Sequence, residues 1–238
     1  MAAVELRDDA VVSSRAGNAV DRVAGAIDRL AAWIARHWLA VFNTIVALFI
    51  AVPFMAPVLM HLGSGGGCEP CRTAGRLIYI GYSITCHQLP ERSYFLFGPL
   101  RTYTVNDLEA RGAVPVGLNI LQRTMLRFPG APEVGYKVAL CERDLAIFGS
   151  LLLGGLAFGV ARSSLRRRGR EVPRLPIWAY VAAVLPMLID GGTQIFGLRE
   201  SNWILRSVTG VVFGLATVWL AYPYVQEAME DVSRTNRT

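Results

Sequence analysis

The chain has 238 residues, 24 of them basic and 18 acidic, for a formal net charge of +6; 53% are hydrophobic and only 18% are charged. A soluble domain carries about 25% charged residues, and the mean hydropathy here is positive, +0.38. These values exclude a disordered chain and a solvated enzyme domain, and they point to an integral membrane protein.

The pI near 9.5 does not make this a nucleic-acid binder. Its arginines are not interleaved with exposed aromatics; they cluster beside apolar segments, where orientation in a bilayer explains them. Lys137 is the only lysine among the 24 basic residues, a usage that suggests a bacterial or archaeal genome rich in GC. No short apolar stretch near the start ends in a cleavage site, so no signal peptide is expected.

Residues 1–37 form a cytoplasmic N-terminal segment. Within it, 15–37 read as an amphipathic helix: Val20, Val23, Ile27, Leu30 and Ile34 recur at helical spacing, and Arg15, Arg22, Arg29 and Arg36 recur every seven residues. A helix lying on anionic lipid is the first reading, and a short coiled coil with a partner is its rival. From Trp38 to Met60 no residue is charged, and the segment is long enough to cross a core of about 30 Å. Leu145–Ala161, Ile177–Ile195 and Trp203–Tyr224 are the next three candidate spans. Ala74–Gln88 is apolar but short and carries Arg76, so it reads as a re-entrant or fifth short helix.

The loop between the second and third spans carries Arg162, Arg166, Arg167, Arg168, Arg170 and Arg174 against Glu171 alone. The positive-inside rule makes it cytoplasmic. Four spans then place both termini in the cytoplasm, with Trp38, Trp178 and Trp219 near the inner face and Trp203 near the outer. The membrane domain is 38–224, followed by a flexible tail, 225–238. Gly155-x3-Gly159 and Gly210-x3-Gly214 let helices approach closely, more simply within this bundle than between copies.

Residues from about 61 to 144 form an extracytoplasmic region, too long to be a passive connector. Thr104–Asp107 resembles a capping box. Leu118–Phe128 reads as another short helix, Pro129–Pro132 as a turn and Gly135–Leu140 as an extended segment.

All four cysteines fall on this outer side. Cys68 and Cys71 have the spacing of a redox pair, half a metal site or a local disulfide. Cys86-His87 and Cys141-Glu142-Arg143-Asp144 supply two thiols, an imidazole and a carboxylate. That is a four-ligand set for zinc or another transition metal, with a Cys86–Cys141 disulfide or reactive thiols as alternatives. Arg92 and Arg143 would support the site or bind an anionic headgroup.

A second cluster, Asp190-Gly191-Gly192-Thr193-Gln194, closes the third span. Asp190 falls about 20 Å along the helix from Ile177, in the outer leaflet, where a charge costs about 2.5–3.5 kcal/mol and requires a partner or a function. Arg206 is its expected partner, with Arg199, Glu200, Ser201 and Asn202 around the turn. Gln194 shares its helix face. Asp190 or Glu142 would handle protons if the site is catalytic.

Cys86-His87-Gln88-Leu89-Pro90-Glu91-Arg92-Ser93, Cys141-Glu142-Arg143 with Gly149, Asp190-Gly191-Gly192-Thr193-Gln194, and Arg199-Glu200-Ser201-Asn202 with Arg206 and Gly210 together resemble an uncharacterised family. Its members are small polytopic membrane proteins of bacteria and archaea that carry a domain of unknown function. The resemblance runs from about residue 75 to 215 and implies no particular activity. Relatives have a shorter loop between the cysteine motifs, so much of 99–136 is an insertion. Many carry a cysteine at the position of Asp144; an exchange of Cys for Asp implies a metal ligand rather than a disulfide partner.

The expectation is an all-α integral membrane protein of the plasma membrane, with four transmembrane helices and a metal site over a polar pocket. It meets the lipid bilayer and a lipid-like or small polar substrate, or a membrane protein partner, and no nucleic acid. A carrier or accessory subunit with structural disulfides, or a thiol–disulfide oxidoreductase using Cys68 and Cys71, are the readings from other classes.

Overall fold

The computed structural model describes residues 2–195 and 201–235, and the side chains of 20–194 and 201–234. Two compact units make up the chain: Met1–Phe42 with Pro223–Thr238, and Asn43–Tyr222.

In the first unit, helix α1 (Ala2–Leu62) is broken at His37, where φ is −115° and ψ is 15°. The kink falls at the expected junction between amphipathic helix and first span. Before it, Val20, Val23, Ile27 and Leu30 are exposed. At the junction the Trp38 indole N–H donates to Gln226 Oε1 at 2.8 Å, and the Gln226 amide donates to Glu230. Both partners belong to helix α7 (Trp203–Thr235). The segment from 225, expected as a flexible tail, therefore continues as helix to Thr235.

The second unit holds the rest of α1 and helices α2 (Glu69–Tyr82), α3 (Val105–Ala110), α4 (Ile120–Leu126), α5 (Glu142–Arg167) and α6 (Ile177–Ile195), with α7 as far as Tyr222. A small sheet interrupts the all-α expectation. Strands β1 (Ser93–Leu96), β2 (Gly130–Ala131) and β3 (Gly135–Cys141) lie in the order β1-β3-β2, all antiparallel. The extended segment expected at 135–140 is its central strand. Four-residue β1 and two-residue β2 are too short to leave an alternating pattern in the sequence.

Three helices among the described residues are long and apolar enough to cross a membrane: Val20–Leu62, Glu142–Arg167 and Trp203–Arg234. The protein is thus a mostly helical membrane protein. Helix α6 has 19 residues, about 28 Å, but its apolar run ends at Ile189, before Asp190, Thr193 and Gln194. The outward faces of these helices are apolar: Leu48, Leu153, Val160, Leu185 and Leu188 are all exposed, as lipid contact requires.

Helix α2 begins at Glu69, earlier than the expected Ala74, and is capped by Cys68, whose sulfur accepts the Cys71 N–H. It packs back along α1, with Gly75 against Met60 and the Ala56 carbonyl. The Tyr82 hydroxyl donates to the Phe49 carbonyl at 2.9 Å. Ala56, Met60, Tyr79, Tyr136 and Ala139 join α1, α2 and β3 in one core. A second core, Phe95, Tyr103, Leu108, Val114 and Val134, holds the long loop region together. Thr104 and Asp107 do form the capping box, and Asn119 with Gln122 forms another. On α7, a methyl group on Gly210 would meet the Arg143 carbonyl and Ala146 at 2.9 Å, and one on Gly214 would collide with Ser150. The small-residue stripe of α7 therefore packs within the bundle, against α5.

Candidate metal and polar site

The site grows from the first turn of α5. Cys141 is both the last residue of β3 and the N-cap of α5, its sulfur accepting the Asp144 N–H at 3.4 Å. Successive helical residues are rotated by about 100°, so four consecutive side chains point to different neighbours. Cys141 and Asp144 share one side, while Glu142 reaches α7 and Arg143 reaches α6.

Register in the sheet brings the other cysteine motif to this turn. Ser93 of β1 lies opposite Cys141, so the loop 86–92 folds over the start of α5. Cys86 Sγ, Cys141 Sγ and an Asp144 carboxylate oxygen lie within 4.8 Å of one another. Donors bound at about 2.0–2.3 Å to one zinc ion stand within about 4.6 Å of one another, so small side-chain rotations suffice to close the set. Both cysteines are free thiols. The Gln88 N–H donates to Cys86 at 3.4 Å, as Asp144 does to Cys141. The hydrogen bond from Cys141 holds the Cys86 thiol below its ordinary value, while that bond and burial push Cys141 up. Of the two thiols Cys86 is the one that ionises more readily, and the thiolate is the form that binds metals.

His87 departs from the expected four-ligand set. It is exposed and is not among the three grouped donors, because the chain turns sharply between it and Gln88. Gln88 adopts a left-handed φ of 51°, which costs about 1–2 kcal/mol for a residue other than glycine. Its side-chain amide donates to the Tyr79 carbonyl at 2.8 Å, and its carbonyl accepts from Lys137 Nζ. These bonds fix the turn that presents Cys86.

Lys137, the single lysine, was not singled out by the motifs as a functional residue. It is 1% exposed, and its ammonium lies 5.8 Å from the centre of the Tyr79 ring. Burial lowers its pKa to about 7, against the pull of Cys86 and Glu91. A lone lysine on an otherwise apolar strand was the available signal.

The charged groups pair differently from expectation. Asp190 is ion-paired with Arg143, not Arg206, and also accepts from the Ser201 hydroxyl at 3.0 Å and from Gln194 at 3.4 Å. Arg206 pairs with Glu142 at 2.8 Å and donates to the carbonyls of Glu91 and Ser201. The reason is steric order: the first turn of α5 lies between the end of α6 and the start of α7, and it supplies a partner to each. Asp190 is 2% exposed and Glu142 1%. Asn202 is exposed and serves as a cap, accepting the Leu205 N–H, rather than lining the pocket. Arg199 and Glu200 lie outside the described residues.

Glu91 Oε1 accepts from Arg123 of α4 at 3.1 Å, which ties the long loop to the site. Arg92 has no hydrogen bond or ion pair among the described residues. Burial and the facing guanidiniums of Arg206 and Arg143 lower its pKa, with Glu91 opposing. Cys68 and Cys71 form a disulfide with Cα atoms 5.2 Å apart.

A bundle of apolar helices with a polar, cysteine-bearing end defines a membrane protein with a built polar site. In agreement, the family described as "Predicted membrane protein (DUF2085)" matches residues 134–220. That segment includes β3, α5, α6 and α7 as far as 220, with Cys141, Asp144, Asp190 and Arg206. The chain is also similar to the uncharacterized protein MJ1492 of the archaeon Methanocaldococcus jannaschii. The two are 25% identical over 188 residues, 79% of this chain and 92% of the relative. No solved structure matches. The resemblance to an uncharacterised membrane-protein family, read from the motifs, therefore holds.

Proposed function

We propose that this is a metal-binding protein of the plasma membrane of a bacterium or archaeon, in which Cys86, Cys141 and Asp144 hold zinc or another transition metal at the outer face. The observation that carries this reading is the convergence of two free thiols and a carboxylate, each sulfur accepting a backbone N–H. Three protein ligands leave a fourth position open, the pattern of catalytic rather than structural zinc. In that position an ion polarises a substrate or activates water. Glu142, beside Cys141 in the chain, and Asp190 are the buried carboxylates that would handle protons.

The topology that goes with this reading has four spans, with both termini cytoplasmic. It is supported by the antiparallel packing of α6 on α7, where Asp190 meets Ser201 at one end and the Leu175 N–H meets the Trp219 carbonyl at the other. The arginine-rich loop after α5 is the inner one. The packing of α2 along α1 supports a re-entrant helix. A cysteine introduced at Arg168 should react with an impermeant maleimide only from the cytoplasmic side.

Cobalt(II) titration of the full detergent-purified chain tests the metal site. Thiolate-to-cobalt charge-transfer absorption should appear at one equivalent and be lost in Cys86→Ser and Cys141→Ser. Its absence from the native chain would leave a carrier or accessory subunit. The Cys68–Cys71 disulfide and the paired Asp190 favour that second reading.

A further inference from the structure

We infer that Arg92, with Arg143 and Arg206, forms an oxyanion subsite beside the Cys86–Cys141–Asp144 group, taking a phosphate group as its ligand. This rests on the metal reading for its purpose, though not for the binding itself. Among the described residues four arginines meet here, Arg92, Arg123, Arg143 and Arg206. Arg123 is matched to Glu91, Arg143 to Asp190 and Arg206 to Glu142. Arg92, half-buried, forms no hydrogen bond or ion pair of its own among the described residues; Glu91 and Glu142 attract it, and the Arg143 and Arg206 guanidiniums repel it.

Gathering like charges in a desolvated place is costly unless an anion joins them. Free donors remain to receive one. Arg143 Nε and Arg206 Nε are buried with no partner, and all five N–H groups of Arg92 are available among the described residues. Glu91 Oε2, also buried without a partner, is an acceptor suited to the hydroxyl of a hydrogen phosphate or of its ester. Donors from several guanidiniums match a tetrahedral oxyanion better than a planar carboxylate, which one guanidinium can already satisfy. Ser93 pairs with Cys141, which sets Arg92, the residue before Ser93, beside the ligand group, where a bound metal would polarise the anion. The phosphate belongs either to a lipid headgroup or to a soluble molecule.

Calorimetric titration of the full chain in detergent and phosphate-free buffer, with inorganic phosphate and with dioctanoyl phosphatidic acid, tests the inference. Binding should be weaker in Arg92→Gln by about ten- to a hundredfold, the value of a charge-assisted contact, with metal content unchanged. Should Arg92→Gln not fold, phosphate should protect Arg92 of the native chain from phenylglyoxal, read by peptide mass spectrometry. Tighter binding of phosphatidic acid assigns the subsite to a lipid headgroup, and tighter binding of phosphate to a soluble ligand. Absence of heat with both probes, with Arg92 modified equally fast in their presence, overturns the inference. So does undiminished binding in folded Arg92→Gln. Repeating the titration after chelation separates the two ideas. Phosphate binding by a chain that takes up no metal sinks only the metal reading, and metal uptake without phosphate binding sinks only the subsite.

Discussion

Replacing Arg206 by methionine leaves Glu142, 1% exposed in its side chain, as a buried carboxylate without its counter-ion. Removing one partner of a buried pair costs about 3–5 kcal/mol. The carbonyls of Glu91 and Ser201 also lose their donor. For a chain of this size 1 kcal/mol corresponds to roughly 2–4 °C, so melting in detergent should fall by roughly 6–20 °C. Glu142→Gln keeps an acceptor for Arg206 and should cost less, about 1–3 kcal/mol. In the double variant no charge is stranded, and it should melt higher than Arg206→Met alone. Scanning fluorimetry of the three variants beside Arg234→Met, a control 78% exposed in its side chain, measures all of this. Melting of Arg206→Met within error of that control, or a loss in the double variant equal to the sum of the two singles, would show that the buried pair does not stabilise the fold in this way.

Lys137 predicts a pH dependence. Its pKa is lowered from 10.5 to about 7 in the folded chain. Below pH 7 both states are protonated, and the fold bears the full cost of a buried charge. Between about 7 and 10.5 only the unfolded state holds the proton, so stability rises with pH, by at most about 1.4 kcal/mol per unit. The melting difference between Lys137→Met and the native chain should shift in the native chain's favour from pH 7 to 9; a flat difference contradicts the burial. His87→Ala should bind as much cobalt as the native chain, whereas Asp144→Asn should bind it more weakly, as the absorption titration will report. Gly214→Val should lower the melting temperature by forcing α7 away from Ser150; overpacking of this kind costs about 1–3 kcal/mol, and an unchanged melt would show that the helices part easily.

What the sequence makes legible is local. A break in charge pattern marks the kink at His37, Thr104 and Asp107 announce their capping box, and the three-residue spacing of Cys141 and Asp144 suits the helix start they form. What it hides depends on contacts between distant segments. Ser93 and Cys141 pair across the long loop region, and that register, with the turn held at Gln88, brings Cys86 to Asp144. Asp190 and Arg206 are near in sequence and of opposite charge, yet each finds its partner on α5, because packing order rather than separation decides. His87 looks like a ligand beside Cys86, but the left-handed turn at Gln88 sends the chain elsewhere. The role of Lys137 in holding that turn follows from β3 lying beneath it.

A metal held by Cys86, Cys141 and Asp144 would be bound tightly enough to survive purification. Elemental analysis of the detergent-purified native chain, beside Cys141→Ser and a Cys68→Ser/Cys71→Ser control, tests it most directly. The native chain should hold about one zinc or other transition-metal ion, the stoichiometry of a single site. The ion should be retained in the disulfide control and lost from Cys141→Ser. No metal in the native chain, or an equal amount in Cys141→Ser, would contradict it.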